Sequence, residues 1–225
     1  VLLLAALHDL VLADPSVPAA RWYPSVVGRA AVPSQRDAWP DVRATLLGHA
    51  GTIRHTIATR STQTNEVNRA TYLATMLALG CADVDRPVAL LELGASAGLL
   101  LGVDRYAVEL TSQDGVLTLG DGTSSVRCHG RLAATGGVPP LVLPRVVSRV
   151  GLDLDPVDLT DAREARWLKA CLWPDIPRRI ERFTSAVEQL IADPPHLMTG
   201  DLIDDLPRAA DEALRRAEAE GTTDA

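Results

Sequence analysis

The sequence predicts an α/β domain built on a partial parallel β-sheet. Three short apolar runs predict the strands: residues 88–93, residues 145–156 and residues 196–199. Helix-forming stretches separate these runs, and parallel strands joined by right-handed crossovers lie in the spatial order 3-2-1. A Gly-rich turn follows the first run, as is typical of a buried strand that leads into a helix. We therefore expect a ligand crevice at the carboxyl ends of the strands.

A helical region, residues 1–86, precedes the sheet and is expected to form an N-terminal cap. Its first 13 residues are apolar, but they include His8 and Asp9, lack a basic start and are too short to cross a membrane. We expect a buried helix here rather than a signal peptide or a membrane anchor. Because the chain begins at Val1 and not at Met, we also expect the natural N-terminus to lie upstream.

Two more helices are predicted in this region. The first begins near Asp37 and ends near Thr59. The second covers residues 66–79, because Asn65 is a good N-cap and Gly80 is a good C-terminal stop.

The second region, residues 87–225, is the predicted sheet domain with an insertion. Residues 111–140 are rich in glycine and predict an inserted β-hairpin, formed by residues 116–119 and 125–128. Further helices are predicted from Asp161 to about Leu172, from Asp175 and Pro177 to Asp193, and from Pro207 to about Glu220.

Composition excludes several classes of protein. The chain has 225 residues, and its 29 acidic and 22 basic residues give a net charge of -7, which argues against a nucleic-acid partner. Cys81, Cys128 and Cys171 lie far apart, and no histidines show metal-ligand spacing. We therefore expect reduced thiols, no metal site, no membrane partner and a cytoplasmic location.

The turn after the first strand resembles a known cofactor motif. Its pattern, Glu92-x-Gly94-x-x-x-Gly98, is similar to the first motif of class I S-adenosylmethionine-dependent methyltransferases. It is not the dinucleotide fingerprint, because G-x-G-x-x-G is absent. The resemblance implies a Rossmann-like sheet of the methyltransferase type, with S-adenosylmethionine as the cofactor.

Two later segments resemble the second and third motifs of the same enzymes. The match implies that Asp153 holds the ribose, that Leu154 packs on the adenine and that Asp201 faces the adenine amine. The inserted hairpin makes the path from Gly98 to Asp153 longer than is usual for these enzymes. The implied cofactor-binding residues are Glu92, Gly94, Ser96, Gly98, Asp153, Leu154, Asp201 and Leu202.

Other interpretations of these residues remain open. Residues 94–98 also satisfy G-x-S-x-G, the nucleophile elbow of α/β-hydrolases, so Ser96 is the nucleophile of an alternative serine hydrolase. Asp153 and His196 follow Ser96 in the chain order of such a triad. A degenerate, non-catalytic methyltransferase fold is a further alternative. Each acidic residue also fits a structural role as a cap or in an Asx-turn.

Four segments extend the resemblance to nearly the whole chain. These segments are residues 62–67, 90–98, 149–158 and 200–207. Together they are similar to a bacterial family known as domain of unknown function 2332. This resemblance implies a methyltransferase-like fold and a small-molecule acceptor, and it assigns no catalytic residue.

 The family continues into a further apolar strand beside the first one, so the resemblance also implies that this chain is truncated at its C-terminus.

Polar residues ahead of the second predicted helix are candidates for the substrate side of the site. Asn65, Glu66 and Arg69 lie close together in sequence and are placed where they would cover a cofactor pocket. The structural alternative is an N-cap with an ion pair between Glu66 and Arg69, which would stabilise the helix by a few tenths of a kcal/mol.

Overall fold

The computed structural model describes residues 1–33, 37–133, 140–176 and 178–221. Its helices and strands, in chain order, are α1 (Leu2–Ala13), α2 (Pro24–Val27), α3 (Trp39–Gly48), α4 (Ala50–Thr59), α5 (Ala70–Gly80), β1 (Val88–Leu93), β2 (Ala107–Ser112), β3 (Gly115–Gly120), β4 (Arg127–Arg131), β5 (Val146–Asp153), α6 (Ala162–Ala170), α7 (Arg179–Ala192), β6 (His196–Thr199) and α8 (Leu206–Gly221). Short 3₁₀ helices occupy Pro18–Trp22, Arg29–Ala31, Val67–Arg69 and Leu99–Arg105.

The chain divides into two compact units. Unit 1 consists of Val1–Glu66 and Thr160–Glu181, and unit 2 consists of Val67–Leu159 and Arg182–Ala225. The described part of unit 1 is helical, whereas unit 2 contains both β-sheets. The predicted domain division at residue 86 stays a prediction.

Helix α1 is the buried centre of unit 1. Its Leu7 belongs to an apolar cluster with Val17, its Ala5 packs with Trp167 of α6, and its Leu10 packs with Ile53 of α4. A helix that is apolar on all sides requires such partners around it. The prediction of a buried helix at the start of the chain is therefore confirmed.

Strands β1, β5 and β6 form a parallel sheet in unit 2. Their spatial order is β1-β5-β6, which confirms the predicted order 3-2-1. Glu92 of β1 lies opposite Gly151 of β5, and Asp153 of β5 lies opposite Thr199 of β6. The fold is thus a mixed α/β arrangement with a three-stranded parallel sheet.

The two faces of this sheet have different surroundings. Val150, Leu152 and Met198 pack with Ala209 and Ala213 of α8 on one face. Because side chains alternate along a strand, Glu92 and Asp153 belong to the opposite face. The sheet therefore directs its acidic side chains away from α8.

A second sheet, in the order β3-β2-β4, corrects the predicted insertion. The predicted pairing of residues 116–119 with residues 125–128 is wrong. Strand β2 lies between them, antiparallel to β3 and parallel to β4, because the tight turn between Ser112 and Gly115 returns the chain along β2. Residues 134–139 of the predicted insertion lie outside the described residues.

Side chains from two helical segments bind the backbone of β4. The Asn68 amide donates to the carbonyl of His129 at 3.0 Å and accepts from its N–H at 2.9 Å. The Nε of Arg182 in α7 donates to the carbonyl of Arg127 at 2.8 Å. Asn68 thus makes the pair of hydrogen bonds that a neighbouring strand would make.

Some predicted helices have different boundaries. The helix predicted from Asp37 to Thr59 is divided at His49 into α3 and α4. Asn65 does not cap α5, whose N-cap is Arg69 after a short 3₁₀ helix. The helix predictions of α6, α7 and α8 are confirmed to within a few residues, although Pro177 lies outside the described residues.

The helix predicted after the Gly-rich turn is instead the seven-residue 3₁₀ helix Leu99–Arg105. Tyr106 explains why it stays short. Its hydroxyl donates to the carbonyl of Leu99 at 2.5 Å, and its ring lies against Gly102. The buried tyrosine therefore ties the end of this segment back to its beginning.

Candidate functional site

The carboxyl ends of β1, β5 and β6 are joined by hydrogen bonds. The N–H of Gly94 donates to the carbonyl of Leu152 at 2.8 Å, and the N–H of Gly200 donates to the carbonyl of Asp153 at 2.9 Å. The N–H of Ser96 donates to the Asp153 carboxylate at 2.7 Å. The three turns that carry the predicted cofactor residues thus meet at one end of the sheet.

Two glycines of the turn after β1 have different roles. Gly94 has a φ of +72° and a Cβ added to it would meet no atom within 4 Å, so the backbone here is open to a ligand. Gly98 has a φ of +70°, but its Cβ would lie 2.8 Å from Cγ of Pro195. Gly98 therefore serves close packing, whereas Gly94 is suited to contact a ligand.

Glu92 is a half-buried acid at this end of the sheet. Its Oε2 atom is inaccessible to water and has no hydrogen-bond partner among the described residues. Burial raises the pKa of Glu92 to about 7, the charge of Arg69 lowers it, and the charge of Asp153 raises it. An oxygen without a partner is costly in a protein interior, and it is a ready position for a ligand group.

Asp153 and Asp201 hold the turns that follow their strands. One oxygen of Asp153 binds the N–H of Ser96, and the other accepts from the N–H of Asp155 at 3.0 Å. Oδ1 of Asp201 accepts from the N–H of Ile203 at 2.7 Å. Both acids therefore have the structural role in turns that the sequence also allowed. Each carboxylate oxygen has about two lone pairs, so both acids retain the capacity to accept from a ligand.

Large apolar side chains are exposed beside these acids. Leu154 is 70% exposed and Ile203 is 84% exposed, and Leu93 and Leu202 are also exposed. Exposed apolar side chains grouped around polar ones mark binding surfaces. Leu93 and Ile203 are absent from the residues predicted for the site. Their positions, where a strand ends and a polar turn begins, could have indicated them from the sequence.

A comparison with protein families places the chain. The family model described as "Uncharacterized protein conserved in bacteria (DUF2332)" matches residues 1–220. The chain belongs to this family. No curated protein and no solved structure matches the chain. The family description states no activity for this DUF2332 chain.

The structure argues against the hydrolase triad of Ser96, Asp153 and His196. Ser96 has a φ of +52°, as a strained elbow would have. However, His196 begins β6 opposite Val150, three residues before the strand end, and so lies about 10 Å from the end where Ser96 is held. His196 contacts Glu212 and Arg216 of α8 instead. His196 of this DUF2332 chain is therefore not placed to act with Ser96 and Asp153 as a triad.

The three predicted substrate-side residues are divided between the two units. Arg69 belongs to unit 2, where its charge acts on Glu92. Asn65 and Glu66 belong to unit 1, in which Glu66 forms an ion pair with Arg179. Asn65 is buried, and its Nδ2 atom has no hydrogen-bond partner in the part of the chain that the structure describes. The structure thus brings only Arg69 together with a predicted cofactor residue within one unit.

The described residues of the DUF2332 chain contain neither a cluster of metal-ligating side chains nor a helix able to span a membrane. No group of three or more His, Cys, Asp or Glu side chains among them is placed to hold a metal ion. None of the described helices combines the length and apolar character that crossing a bilayer requires.

Proposed function

We propose that unit 2 binds S-adenosylmethionine at the carboxyl end of the β1-β5-β6 sheet and transfers its methyl group to a small molecule. One observation supports this proposal most. Acidic side chains and exposed apolar side chains occur together at the ends of three adjacent parallel strands. Open α/β sheets bind their ligands at this position.

The chemistry of these strand ends suits a cationic nucleoside. An adenine ring needs an apolar platform, and Leu154 and Leu202 are exposed there. Ribose hydroxyls and the adenine amine are donors, and Asp153 and Asp201 are acceptors. The acidic character of the turns would attract a sulfonium ion and would repel the phosphates of a dinucleotide.

The surroundings of Glu92 suit the binding of a cofactor. Its Oε2 is a buried acceptor without a partner, as expected of an atom that pairs with a bound molecule. Gly94 leaves the backbone beside it open. Glu92, Asp153 and Asp201 would hold the cofactor by its polar groups, and the turn that Asp153 fixes would shape one wall of the site.

When bound, S-adenosylmethionine would supply an electrophilic methyl group for a lone pair of the acceptor, with the sulfide as the leaving group. The contribution of this chain is to orient that methyl group and to keep the sulfonium beside carboxylates. Glu92, whose pKa is about 7, is able to hold or release a proton near neutral pH.

Calorimetric titration of the natural full-length protein with S-adenosylmethionine and S-adenosylhomocysteine tests the proposal. We expect one saturable site for each. Glu92→Gln should weaken S-adenosylhomocysteine binding about tenfold or more, because a hydrogen bond to a charged group contributes about 1.5–3 kcal/mol.

Glu109→Gln is the matched control. Glu109 lies in β2 and pairs with Arg127 and His129, so the same substitution there should leave the affinity unchanged. Absence of binding to either compound, or equal effects of the two substitutions, would overturn the proposal.

A further inference from the structure

Unit 1 contains a cavity that the proposed function does not use. Its volume is about 460 Å³, within the range of roughly 300–1,000 Å³ that is usual for small-molecule sites. Apolar and aromatic side chains form most of its wall, chiefly Leu4, Trp22, Tyr23, Val32, Leu172 and Trp173. An apolar wall open to water is unfavourable until a ligand covers it.

The floor of the cavity contains a neutral histidine. Nδ1 of the buried His8 lies 3.1 Å from the carbonyl oxygen of Ala170, and a carbonyl only accepts, so Nδ1 carries the hydrogen. Nε2 then accepts from the Ser25 hydroxyl at 2.7 Å. Burial lowers the pKa of His8 to about 4, so the ring is uncharged at neutral pH.

Tyr23 supplies a polar group at the cavity wall. Its ring stacks on His8 with the centroids 5.0 Å apart and the planes inclined by 24°. Within the described part of the chain its hydroxyl makes no hydrogen bond. Burial raises the pKa of Tyr23 to about 12, so the hydroxyl keeps its hydrogen and is able to donate it to a ligand.

The charges around the cavity oppose both anions and cations. Asp175 lines the cavity and would repel an anion. Arg29 donates to the carbonyl of Asp175 at 2.7 Å, and its guanidinium would repel a cation. Arg21, which lies 5.7 Å from the centre of the Trp22 ring, forms an ion pair with Asp41, so its charge is offset.

We propose that this cavity binds a neutral aromatic molecule that carries one hydrogen-bond acceptor. The aromatic part packs among Trp22, Tyr23 and Trp173, and the acceptor receives the hydrogen of the Tyr23 hydroxyl. All residues that define the cavity belong to unit 1. The proposal therefore stands apart from the function proposed for unit 2.

Titration of the natural full-length protein with N-phenyl-1-naphthylamine tests the cavity. This neutral aromatic probe fluoresces more strongly in apolar surroundings, and we expect one saturable site. Leu4→Asp should weaken binding at least tenfold, because it places a charge in the wall. Leu3→Asp is the matched control, since Leu3 is 45% exposed and Leu4 is 53% exposed, but only Leu4 lines the cavity.

Competition by two related compounds tests the role of Tyr23. We expect 2-acetylnaphthalene to displace the probe at a lower concentration than naphthalene, because only the ketone accepts a hydrogen bond. In Tyr23→Phe the preference for the ketone over naphthalene should fall at least threefold. The concentration of naphthalene that displaces the probe should not change. A preference that survives in Tyr23→Phe would overturn the assigned acceptor contact.

Alkylation with N-ethylmaleimide compares a cysteine of the cavity with a cysteine outside it in the same sample. Cys171 lines the cavity and is partly exposed, and Cys81 is partly exposed outside its wall. The probe should slow modification of Cys171 and leave that of Cys81 unchanged, as measured by mass spectrometry of peptides. Equal modification with and without the probe, unsaturable binding, or equal effects of the Leu3 and Leu4 substitutions would overturn the proposal.

Discussion

At the scale of single residues, Gly94 has a positive φ and lies where a ligand could approach its backbone. A residue with a side chain is strained at its φ of +72°, and the added Cβ would point into open space beside the acids. Gly94→Ala should lower the free energy of unfolding by about 1–2 kcal/mol and also weaken S-adenosylhomocysteine binding severalfold. Chemical denaturation and calorimetry measure the two effects separately.

Gly28 provides the control for this prediction. Its φ is +77° and its Cβ would also meet no atom within 4 Å, but it belongs to unit 1. Gly28→Ala should lower stability by at least as much, because the ψ of 148° at Gly28 is one that residues with a side chain rarely adopt, and it should leave the affinity unchanged. Normal binding by a folded Gly94→Ala protein would show that the ligand does not approach this glycine.

At the scale of elements, the turn after β1 depends on a side chain from β5. Asp153 accepts hydrogen bonds from the N–H groups of Ser96 and Asp155 at 2.7 and 3.0 Å. In Asp153→Asn one oxygen becomes an NH₂ group that cannot accept a hydrogen bond. We therefore expect the free energy of unfolding to fall by about 1–3 kcal/mol. Hydrogen exchange at the Ser96 amide should also become faster.

Asp155→Asn tests whether the loss of charge alone explains such a change. Asp155 is exposed two residues further along, and the same substitution there should alter stability by less than about 0.5 kcal/mol. If the two variants are equally stable, the Asp153 carboxylate does not hold the turn.

The accuracy of the sequence predictions differs between elements for physical reasons. β1 and β6 were predictable because they are short apolar runs bounded by turn residues. β2 was missed because Glu109 interrupts its short apolar run and because only Tyr106 separates it from the preceding 3₁₀ helix, with no turn residue to mark its start. Asn65 carries a local capping signal, but it is buried, and tertiary packing outweighs local preference there.

The candidate site shows the same limit. The acids at the strand ends were predictable, because strand order and direction bring Asp153 and Asp201 to one end of the sheet. The exposure of Leu154 and the missing partner of Glu92 Oε2 depend on neighbours far away in sequence. No local pattern contains that information.

At the scale of the whole molecule, two buried groups give stability opposite dependences on pH. The pKa of Glu92 rises from 4.5 to about 7, so the folded state binds the extra proton between these values and stability falls as the pH rises. The pKa of His8 falls from 6.5 to about 4, so the unfolded state binds the extra proton and stability rises with pH.

These opposite effects overlap between pH 4.5 and 6.5. Relative to the natural protein, Glu92→Gln should gain stability as the pH rises across this window, and His8→Asn should lose it, each by about 2 kcal/mol. Chemical denaturation at several pH values measures both slopes. A Glu92→Gln curve parallel to that of the natural protein would show that Glu92 ionises normally in the folded state.

The side-chain contacts along β4 affect the tendency of the protein to self-associate. An outer strand with unpaired N–H and C=O groups is a template for strands of other chains, and proteins aggregate through such templates. Asn68 occupies both backbone groups of His129, and Arg182 occupies the carbonyl of Arg127. Two side chains thereby block intermolecular strand pairing along β4 without the addition of another strand.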